Sequence, residues 1–135
     1  MKREKSCGAV IFHEENTERY YLVLKSTQGH TTLCKGHVEG DETEHETAVR
    51  EIREETGLTV NFVDGFRHVI TYSPKPGATK DVVFFLARRS GGALTCQVEE
   101  VADARFLPFG EALDALTHES DRDTLQKARA FLEEG

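Results

Sequence analysis

Hydrophobic residues in this chain fall mainly into short continuous runs, a pattern typical of buried β-strands. We expect the first two runs to pair with each other. The run DVVFFLA is expected to form the buried central strand of a sheet. A last short strand is predicted to end near Phe106. The runs before it predict strands at Ser6–Phe12, Tyr20–Leu24, Leu58–Val63, Phe66–Tyr72 and Asp81–Ala87.

The segments between these runs are polar or rich in glycine and proline, which favours turns and loops. Gly8 lies inside the first strand and predicts the close approach of another backbone, because a glycine within a strand often marks such a contact. Loops or turns are predicted at His13–Arg19, Ser26–Thr32, Asp64-Gly65, Ser73–Thr79 and Ser90–Gly92.

A polar helix is predicted after the glycine-bearing loop that begins at Lys35. Asp41 or Thr43 can cap its first turn, because either side chain can accept a backbone N–H bond there. Gly57 is the expected stop, since glycine adopts the left-handed conformation at a helix end. Three residues on one arc are expected to face the core: Ala48, Val49 and Ile52.

Two further helices are predicted after the last strand. Pro108 can open the first, which continues through Leu116. Asp121–Glu133 has the apolar spacing of an amphipathic helix, with Ser120 as its candidate cap. The order of strands, helix, strands and helices predicts an α/β fold with a mixed sheet between helical layers.

Composition places the chain among ordinary globular proteins. Its 135 residues suit a single domain, 1–135, and 38% of them are hydrophobic and 30% charged. No apolar run approaches membrane-spanning length, so no membrane partner is expected. The opening MKREKSCGAVIF lacks the apolar stretch and cleavage site of a signal peptide, and we therefore expect a cytoplasmic protein.

Cysteine usage and net charge narrow the function classes. Cys7, Cys34 and Cys96 are widely spaced and form no CxxC pair, which argues against a disulfide framework or a zinc site and favours reduced thiols. The net charge of −7 disfavours nucleic acid as a partner. It also disfavours polyphosphates, unless a divalent cation in an acidic site sets the local field.

The acidic residues are concentrated in the polar helix. Glu51, Glu54 and Glu55 fall at i, i+3 and i+4 and share one face, where like charges repel. Spacing alone leaves two interpretations open, a solvated surface or a site for a divalent metal. Hard cations such as Mg²⁺ bind carboxylates together with phosphates and water.

The stretch from Gly36 to Leu58 resembles the Nudix box, G-x5-E-x7-R-E-U-x-E-E-x-G-U, in which U is a bulky aliphatic residue. Glu42 stands at its first glutamate and REIREETGL supplies its end, so all nine constrained positions are present. The resemblance implies a Nudix α/β/α sandwich with a mixed β-sheet between helices. It also implies a metal-dependent hydrolase that cleaves a nucleoside diphosphate linked to another group.

The resemblance assigns roles to the matching positions. Glu51, Glu54 and Glu55 are the implied ligands of Mg²⁺ or Mn²⁺, together with a backbone carbonyl at the start of the box, from Lys35 or Gly36. Arg50 and Glu42, the two other charged positions of the box, also have implied roles. Arg50 is expected to orient the carboxylates through a charge-assisted pair, and Glu42 is either secondary to the site or a helix-start carboxylate.

The general base is left open by the box. Glu51 is the candidate within it, and Glu54 is also counted among the catalytic residues. Glu100 is the candidate from a later loop, with Glu99 as its neighbour, although solvated loop charge is an equally good interpretation of both.

Outside the box, the chain resembles the asymmetrical diadenosine tetraphosphate hydrolases of this family. The run Lys35–Glu39, KGHVE, and the first strand, SCGAVIF, carry most of that likeness. The chain departs at Thr31–Cys34, where those enzymes usually place Trp and Pro. The resemblance implies hydrolysis of diadenosine tetraphosphate to ATP and AMP and a small-molecule nucleotide as the partner.

The same resemblance proposes substrate-binding residues. Tyr72 would stack an adenine, with a core tyrosine as the alternative. Lys35, Lys80 and Arg67 are candidates for phosphate contacts, with a plain surface role as the alternative, and His37 is a candidate phosphate donor or a structural hydrogen-bond donor.

Other functions stay open at this point. The chain could hydrolyse other nucleoside triphosphates or RNA 5′ ends. It could also be an inactive nucleotide-binding regulator, although such proteins usually lose box carboxylates that this chain retains. A monomer and a homodimer are both compatible with the sequence.

Overall fold

The computed structural model describes residues 2–95 and 101–134, which form a mixed β-sheet with helices on both faces. The strands and helices, in chain order, are β1 (Lys2–Glu15), β2 (Glu18–Ser26), β3 (Thr31–Thr32), β4 (Cys34–His37), α1 (Glu44–Thr56), β5 (Thr59–Phe62), β6 (His68–Tyr72), β7 (Ala78–Gly91), β8 (Val101–Pro108), α2 (Phe109–Ala115) and α3 (Glu119–Glu134).

The sheet is organised around β1 and β7, which run parallel from the Lys2–Ala78 pair to the Phe12–Arg88 pair. On its other edge, β1 is antiparallel to β2 near its end and to β4 nearer its start. β7 pairs with β5 and β6, and β2 pairs with β3 and β8. The predicted pairing of the first two strands and the central place of β7 are both confirmed.

Alternation along β1 assigns each face of the sheet to a different helical layer. Cys7, Ala9 and Ile11 join Ala48 and Ile52 of α1 in one buried cluster. The opposite face packs against helices α2 and α3 and includes Val10, Phe12, Ala112, Leu116, Leu125 and Ala128. The predicted α/β/α sandwich, with its mixed sheet between helices, is confirmed.

The strands extend further than their apolar runs. Both ends of the β1–β7 pair carry ion pairs, Arg3 with Asp81 at 2.7 Å and Arg88 with Glu14. Charged partners across a ladder let strands continue beyond the core. The turn predicted at Ser90–Gly92 is wrong, because β7 continues to Gly91, which pairs with Thr59 of β5.

Two further predictions are corrected by the structure. Val49 was expected to face the core but is 41% exposed, because it lies at the edge of the apolar arc of α1. Ser120 does not cap the last helix, which begins one residue earlier at Glu119. Its backbone carbonyl instead accepts the hydroxyl of Thr124 inside the first turn.

Gly8 allows β4 to approach β1 closely, as the sequence predicts. A Cβ atom at Gly8 would lie 1.9 Å from the carbonyl oxygen of Cys34 and 2.7 Å from the Cα atom of Lys35. Both neighbours are backbone atoms that cannot turn away, so a side chain here would push β4 off the sheet. This contact positions the strand that leads into the glutamate-rich helix.

The ends of α1 follow from its capping residues. Of the two candidates, Thr43 is the N-cap: its hydroxyl accepts the Glu46 N–H, and the Glu46 carboxylate accepts the Thr43 N–H in return. Gly57 ends the helix in the left-handed conformation, with φ of 76°. In the part of the chain that the structure describes, no helix is long and apolar enough to cross a membrane.

Glu44 ties the first turn of α1 to the sheet and predicts a pH dependence of stability. Its carboxylate accepts bonds from Arg67 at 2.8 and 2.9 Å and from Lys5 at 2.5 Å. These bonds lower the pKa of Glu44 from 4.5 to about 2, with the Arg67 bonds as the largest cause. Arg67, one of the candidates for phosphate contacts, therefore lies in an ion pair with Glu44 at the start of the helix.

Glu44→Gln is expected to lower the free energy of unfolding by about 1 kcal/mol at pH 7, the upper end for partly exposed ion pairs. Because the pKa is depressed in the folded state, this difference should be complete above pH 4.5 and disappear as the pH falls to about 2. Urea unfolding at several pH values measures it. Glu119→Gln, in an exposed pair with Arg122, is the control; equal pH profiles for the two variants would contradict the prediction.

Candidate active site

Glu51 lies directly over β4 because Gly36 has no side chain. A Cβ atom at Gly36 would lie 2.0 Å from the Glu51 carboxyl carbon and 2.2 Å from each of its oxygens. The Glu51 carboxylate therefore occupies the space that any other residue at position 36 would fill. Gly36 and Glu51, which are 15 residues apart in the motif, therefore depend on each other: the missing side chain of one makes room for the carboxylate of the other.

Glu55 lies one helical turn further on, beside Cys34. The Cys34 thiol donates to Oε1 of Glu55 with an Sγ–O distance of 3.1 Å, and Cys34 is 1% exposed. Four residues of helix, from Glu51 to Glu55, rise about 6 Å, and two residues of a strand, from Cys34 to Gly36, span about 6.6 Å. Because these distances match, Glu51 and Glu55 meet Gly36 and Cys34 in register.

The thiol of Cys34 is held in its protonated form. Burial is the largest cause that raises its pKa well above the ordinary value, and the negative charge of Glu55 is the next. A protonated thiol can donate a hydrogen bond, whereas a carboxylate can only accept one.

Arg50 is the hub of the acidic cluster. Its guanidinium donates to Glu42 at 2.7 and 3.1 Å, to Glu51 at 2.9 Å and to Glu54 at 3.1 Å. It also donates to the backbone carbonyl of His37 at 2.8 Å, which ties α1 to the end of β4. The pKa of Arg50 is raised chiefly by the Glu42 bond, so the guanidinium stays charged.

Glu42 anchors this hub from the loop before α1. It accepts bonds from Arg50, the hydroxyl of Thr47 and the backbone N–H of Glu39. The Arg50 bonds are the largest cause that lowers its pKa from 4.5 to about 2. Its contacts fit a carboxylate that is secondary to the site and holds Arg50 in place.

The carboxylates of Glu51 and Glu55 are the side-chain oxygens that a divalent metal could use here. Within residues 2–95 and 101–134, no three His, Cys, Asp or Glu side chains already stand together as a metal cluster. Mg²⁺, however, commonly uses only one or two protein carboxylates, with substrate phosphates and water as its other ligands. The glycine-made space that holds Glu51, with Glu55 one turn away, supplies hard oxygen donors that fit such an ion.

The sequence offers the backbone carbonyl of either Lys35 or Gly36 as a metal ligand, and the strand register distinguishes the two. The Val38 N–H donates to the Lys5 carbonyl at 3.1 Å, and bonded pairs alternate along an antiparallel ladder. Gly36, two residues before Val38, therefore directs its backbone groups toward Cys7 of β1. The Lys35 carbonyl points away from β1, and we infer that it is the better candidate ligand.

The other face of the sheet carries a cleft of about 480 Å³. Lys35 and Tyr72 line it, together with Val82 and Phe84 on its floor. Tyr72 is 44% exposed, so the alternative of a core tyrosine is wrong. An aromatic ring exposed beside an apolar floor can receive the flat face of a base.

Lys80 and His37 lie on the same sheet face as this cleft. Lys80 is the direct partner of Tyr72 across one ladder and of Glu4 across the next, and paired residues share a face. Burial, and then the charge of Lys35, lower the pKa of Lys80. Nε2 of His37 lies 3.5 Å from Glu4. The four predicted substrate-binding residues thus share one side of the sheet.

Lys35 also borders a second, smaller cavity of about 170 Å³, which Glu55 and Leu33 line as well. It therefore lies at the boundary between the cleft on one face and the carboxylates on the other. Lys35 therefore lies between the cleft that can bind a nucleobase and the carboxylates that can bind a cation.

The NUDIX domain model matches residues 2–128 of this chain, nearly its whole length. The chain belongs to the NUDIX family. It is a Nudix hydrolase, which confirms the predicted enzyme class and the family that the sequence motif indicates.

Named relatives of this Nudix chain agree with the match. The asymmetrical bis(5′-nucleosyl)-tetraphosphatase of Rattus norvegicus is 31% identical over 140 residues, covering 95% of each protein. The 8-oxo-(d)GTP phosphatase of Mycolicibacterium smegmatis is 38% identical over 96 residues, covering 71% of this chain and 29% of that protein. The C. elegans Ap4A hydrolase binary complex has the same fold, with a TM-score of 0.88 and 24% identity over 98% of this chain and 99% of that one.

Asp121 is a feature of this Nudix cleft that sequence reasoning missed. It is 4% exposed and lines the cleft from α3. Burial raises its pKa, while Lys35, His118 and the Leu33 N–H act in the opposite direction. Its place four residues before Leu125, on the apolar stripe of α3, was the signal that could have revealed it.

The remaining base candidates, Glu99 and Glu100, lie outside the described residues, as does Cys96. The roles assigned to Glu51, Glu54, Glu55 and the substrate-binding residues stay predictions.

Proposed function

We propose that this Nudix hydrolase cleaves dinucleoside polyphosphates, converting diadenosine tetraphosphate to ATP and AMP with Mg²⁺ or Mn²⁺. The position of Lys35, between the nucleotide-sized cleft and the carboxylates, carries the proposal. Relatives that match along 95% of their length and of this chain are named asymmetrical tetraphosphatases, which supports the substrate class.

Glu51 and Glu55, with Glu54 and the backbone carbonyl of Lys35, would hold the ion. When bound, it would neutralise phosphate charge and acidify a water molecule. Arg50 keeps the carboxylates of Glu51 and Glu54 in place through its bonds to both.

The remaining residues bind and orient the substrate. Tyr72 stacks one adenine, and Lys35 and Lys80 place two ammonium groups beside the phosphate chain. His37 donates to a phosphate at the end of β4. Glu51 or Glu100 removes the proton from the attacking water, because a carboxylate is the available base in either position.

Hydrolysis of diadenosine tetraphosphate tests the proposal. The purified chain is incubated with substrate and Mg²⁺ in ¹⁸O-labelled water, and the products are separated by anion-exchange chromatography. Equal amounts of ATP and AMP, with the label in one of them, support asymmetric cleavage. Formation of ADP alone, or no turnover, would overturn it.

A second candidate is hydrolysis of nucleoside triphosphates, including oxidised ones. The 38% identity to an 8-oxo-(d)GTP phosphatase favours it, although this chain spans only 29% of that protein. A higher kcat/KM for an oxidised triphosphate than for diadenosine tetraphosphate would select this function. Tight nucleotide binding without turnover would select an inactive regulator.

Tyr72→Ala is expected to raise KM for diadenosine tetraphosphate by about 5- to 150-fold, because stacking on an aromatic ring contributes about 1–3 kcal/mol per base. Tyr72→Phe, which keeps the ring, should retain a KM close to that of the wild type. Tyr20→Ala is the control, since Tyr20 lies on β2 and bonds to Glu18. Equal KM values for Tyr72→Ala and the wild type would show that the base binds elsewhere.

We further propose that residues 1–135 act as one Nudix domain on a small nucleotide, without nucleic acid as a partner. The cytoplasmic location and the choice between monomer and homodimer stay predictions.

A further inference from the structure

Cys34 is the only cysteine among the described residues whose thiol is recorded in a bond to a carboxylate. Its Sγ lies 3.1 Å from Oε1 of Glu55, and its side chain is buried in the cluster beneath α1. Carboxylates have no proton to give when ionised, so the thiol is the donor.

The bond joins β4 to the last turn of α1, and the Arg50 bond to the His37 carbonyl joins the same two elements nearer the start of the helix. Cys34 belongs to β4, and Glu55 belongs to the last turn of α1. Glu51 is restrained by Gly36 below it and by Arg50 beside it. Arg50 donates to Glu42, Glu51 and Glu54, and the Cys34 thiol donates to Glu55 from the strand below.

We propose that Cys34 is a positioning residue, whose S–H bond holds the Glu55 carboxylate in the orientation in which it binds the divalent cation. The inference rests on the proposed role of Glu55 as a ligand. A glutamate side chain has several rotamers, and a hydrogen bond from a rigid strand selects one of them. The bond fixes the position of Oε1 of Glu55 relative to β4.

Two substitutions at position 34 separate positioning from packing. Cys34→Val keeps an apolar side chain of similar volume but removes the donor. Cys34→Ser keeps a donor but places a more polar group in an apolar cluster. A packing role predicts that the serine variant is the more damaged, whereas a positioning role predicts that the valine variant is.

Mn²⁺ affinity, measured by electron paramagnetic resonance of free Mn²⁺ without substrate, gives a readout independent of catalysis. We expect Cys34→Val to bind Mn²⁺ about tenfold more weakly than the wild type, since loss of a bond that orients a ligand typically costs 10- to 100-fold. Cys34→Ser should bind as tightly as the wild type, even where its melting temperature is lower. The Mg²⁺ concentration that gives half-maximal kcat should follow the same order.

Glu55→Gln distinguishes failure of this inference from failure of the proposed function. If Glu55→Gln loses Mn²⁺ affinity while Cys34→Val binds as the wild type does, the positioning role is overturned and the ligand role stands. If Glu55→Gln itself binds Mn²⁺ normally, the ligand role fails, and the inference fails with it. In the Glu55→Gln background, adding Cys34→Val should have no further effect. Should Cys34→Val fail to fold, Cys34→Ala carries the same test.

Discussion

Glu51→Gln is expected to lower kcat for diadenosine tetraphosphate about a thousandfold, because charge stabilisation by a bound metal supplies roughly 4 kcal/mol and each 1.4 kcal/mol is tenfold in rate. The substitution preserves size and removes the negative charge. Since glutamine keeps the size of the side chain over Gly36 and an oxygen that can accept the Arg50 bond, the melting temperature should change little. Steady-state kinetics and thermal unfolding measure the two effects.

Gly36→Ala provides an independent route to the same result. The added methyl group would meet the Glu51 carboxylate at 2.0 Å, and the flexible end of that side chain can move where backbone cannot. We expect the variant to fold and to lose activity, because Glu51 is displaced. Glu46→Asp, at a capping position facing solvent, is the control for helix damage. Wild-type kcat in both Glu51→Gln and Gly36→Ala would show that Glu51 has no part in the reaction.

Arg50→Met should lower the free energy of unfolding by about 3 kcal/mol, near the lower end for breaking a buried ion pair, since the cluster is partly exposed. The variant leaves Glu42, Glu51 and Glu54 without the cation that bonds to all three. The cost is greater than for an ordinary surface arginine because like charges then face each other at close range.

Arg53→Met, one turn along the same helix and exposed, is the matched control and should change stability by less than about 0.5 kcal/mol. Urea unfolding with and without Mg²⁺ extends the test. A ligand that binds only the folded state adds stability in proportion to its affinity, so Mg²⁺ should restore part of the loss in Arg50→Met. Equal destabilisation of the two arginine variants would contradict the role of Arg50 as the hub.

Sequence reasoning found the elements whose signals are local. Helix α1 begins and ends at its caps, Thr43 and Gly57, and the uninterrupted run in β7 marks the centre of the sheet. The limits of β1 and β7 were missed, because their ends are held by cross-strand ion pairs that depend on which strands become neighbours. A composition change along one strand does not reveal its partner.

In the site too, the sequence shows features within one element but not the contacts between elements. Spacing alone placed the three glutamates on one helix face, but it did not show that Gly36 makes room for one of them or that Cys34 bonds to another. These contacts follow from how α1 lies on β4, which the spacing of residues within one element does not show. Asp121 was missed for a different reason, since an acidic residue in the first turn of an amphipathic helix is typical of its solvent-facing side, whereas here the residue is buried against the cleft.

The match in spacing between α1 and β4 has a consequence for how this protein tolerates insertions and deletions. A single residue added inside β4 would turn alternate side chains to the opposite face and separate Glu51 from Gly36 and Glu55 from Cys34 at once. The segment that joins β4 to α1 also resists a change in length, because the Val38 N–H bonds to the Lys5 carbonyl and Glu42 bonds to Arg50. Insertions and deletions should therefore be rare from Cys34 to Glu55.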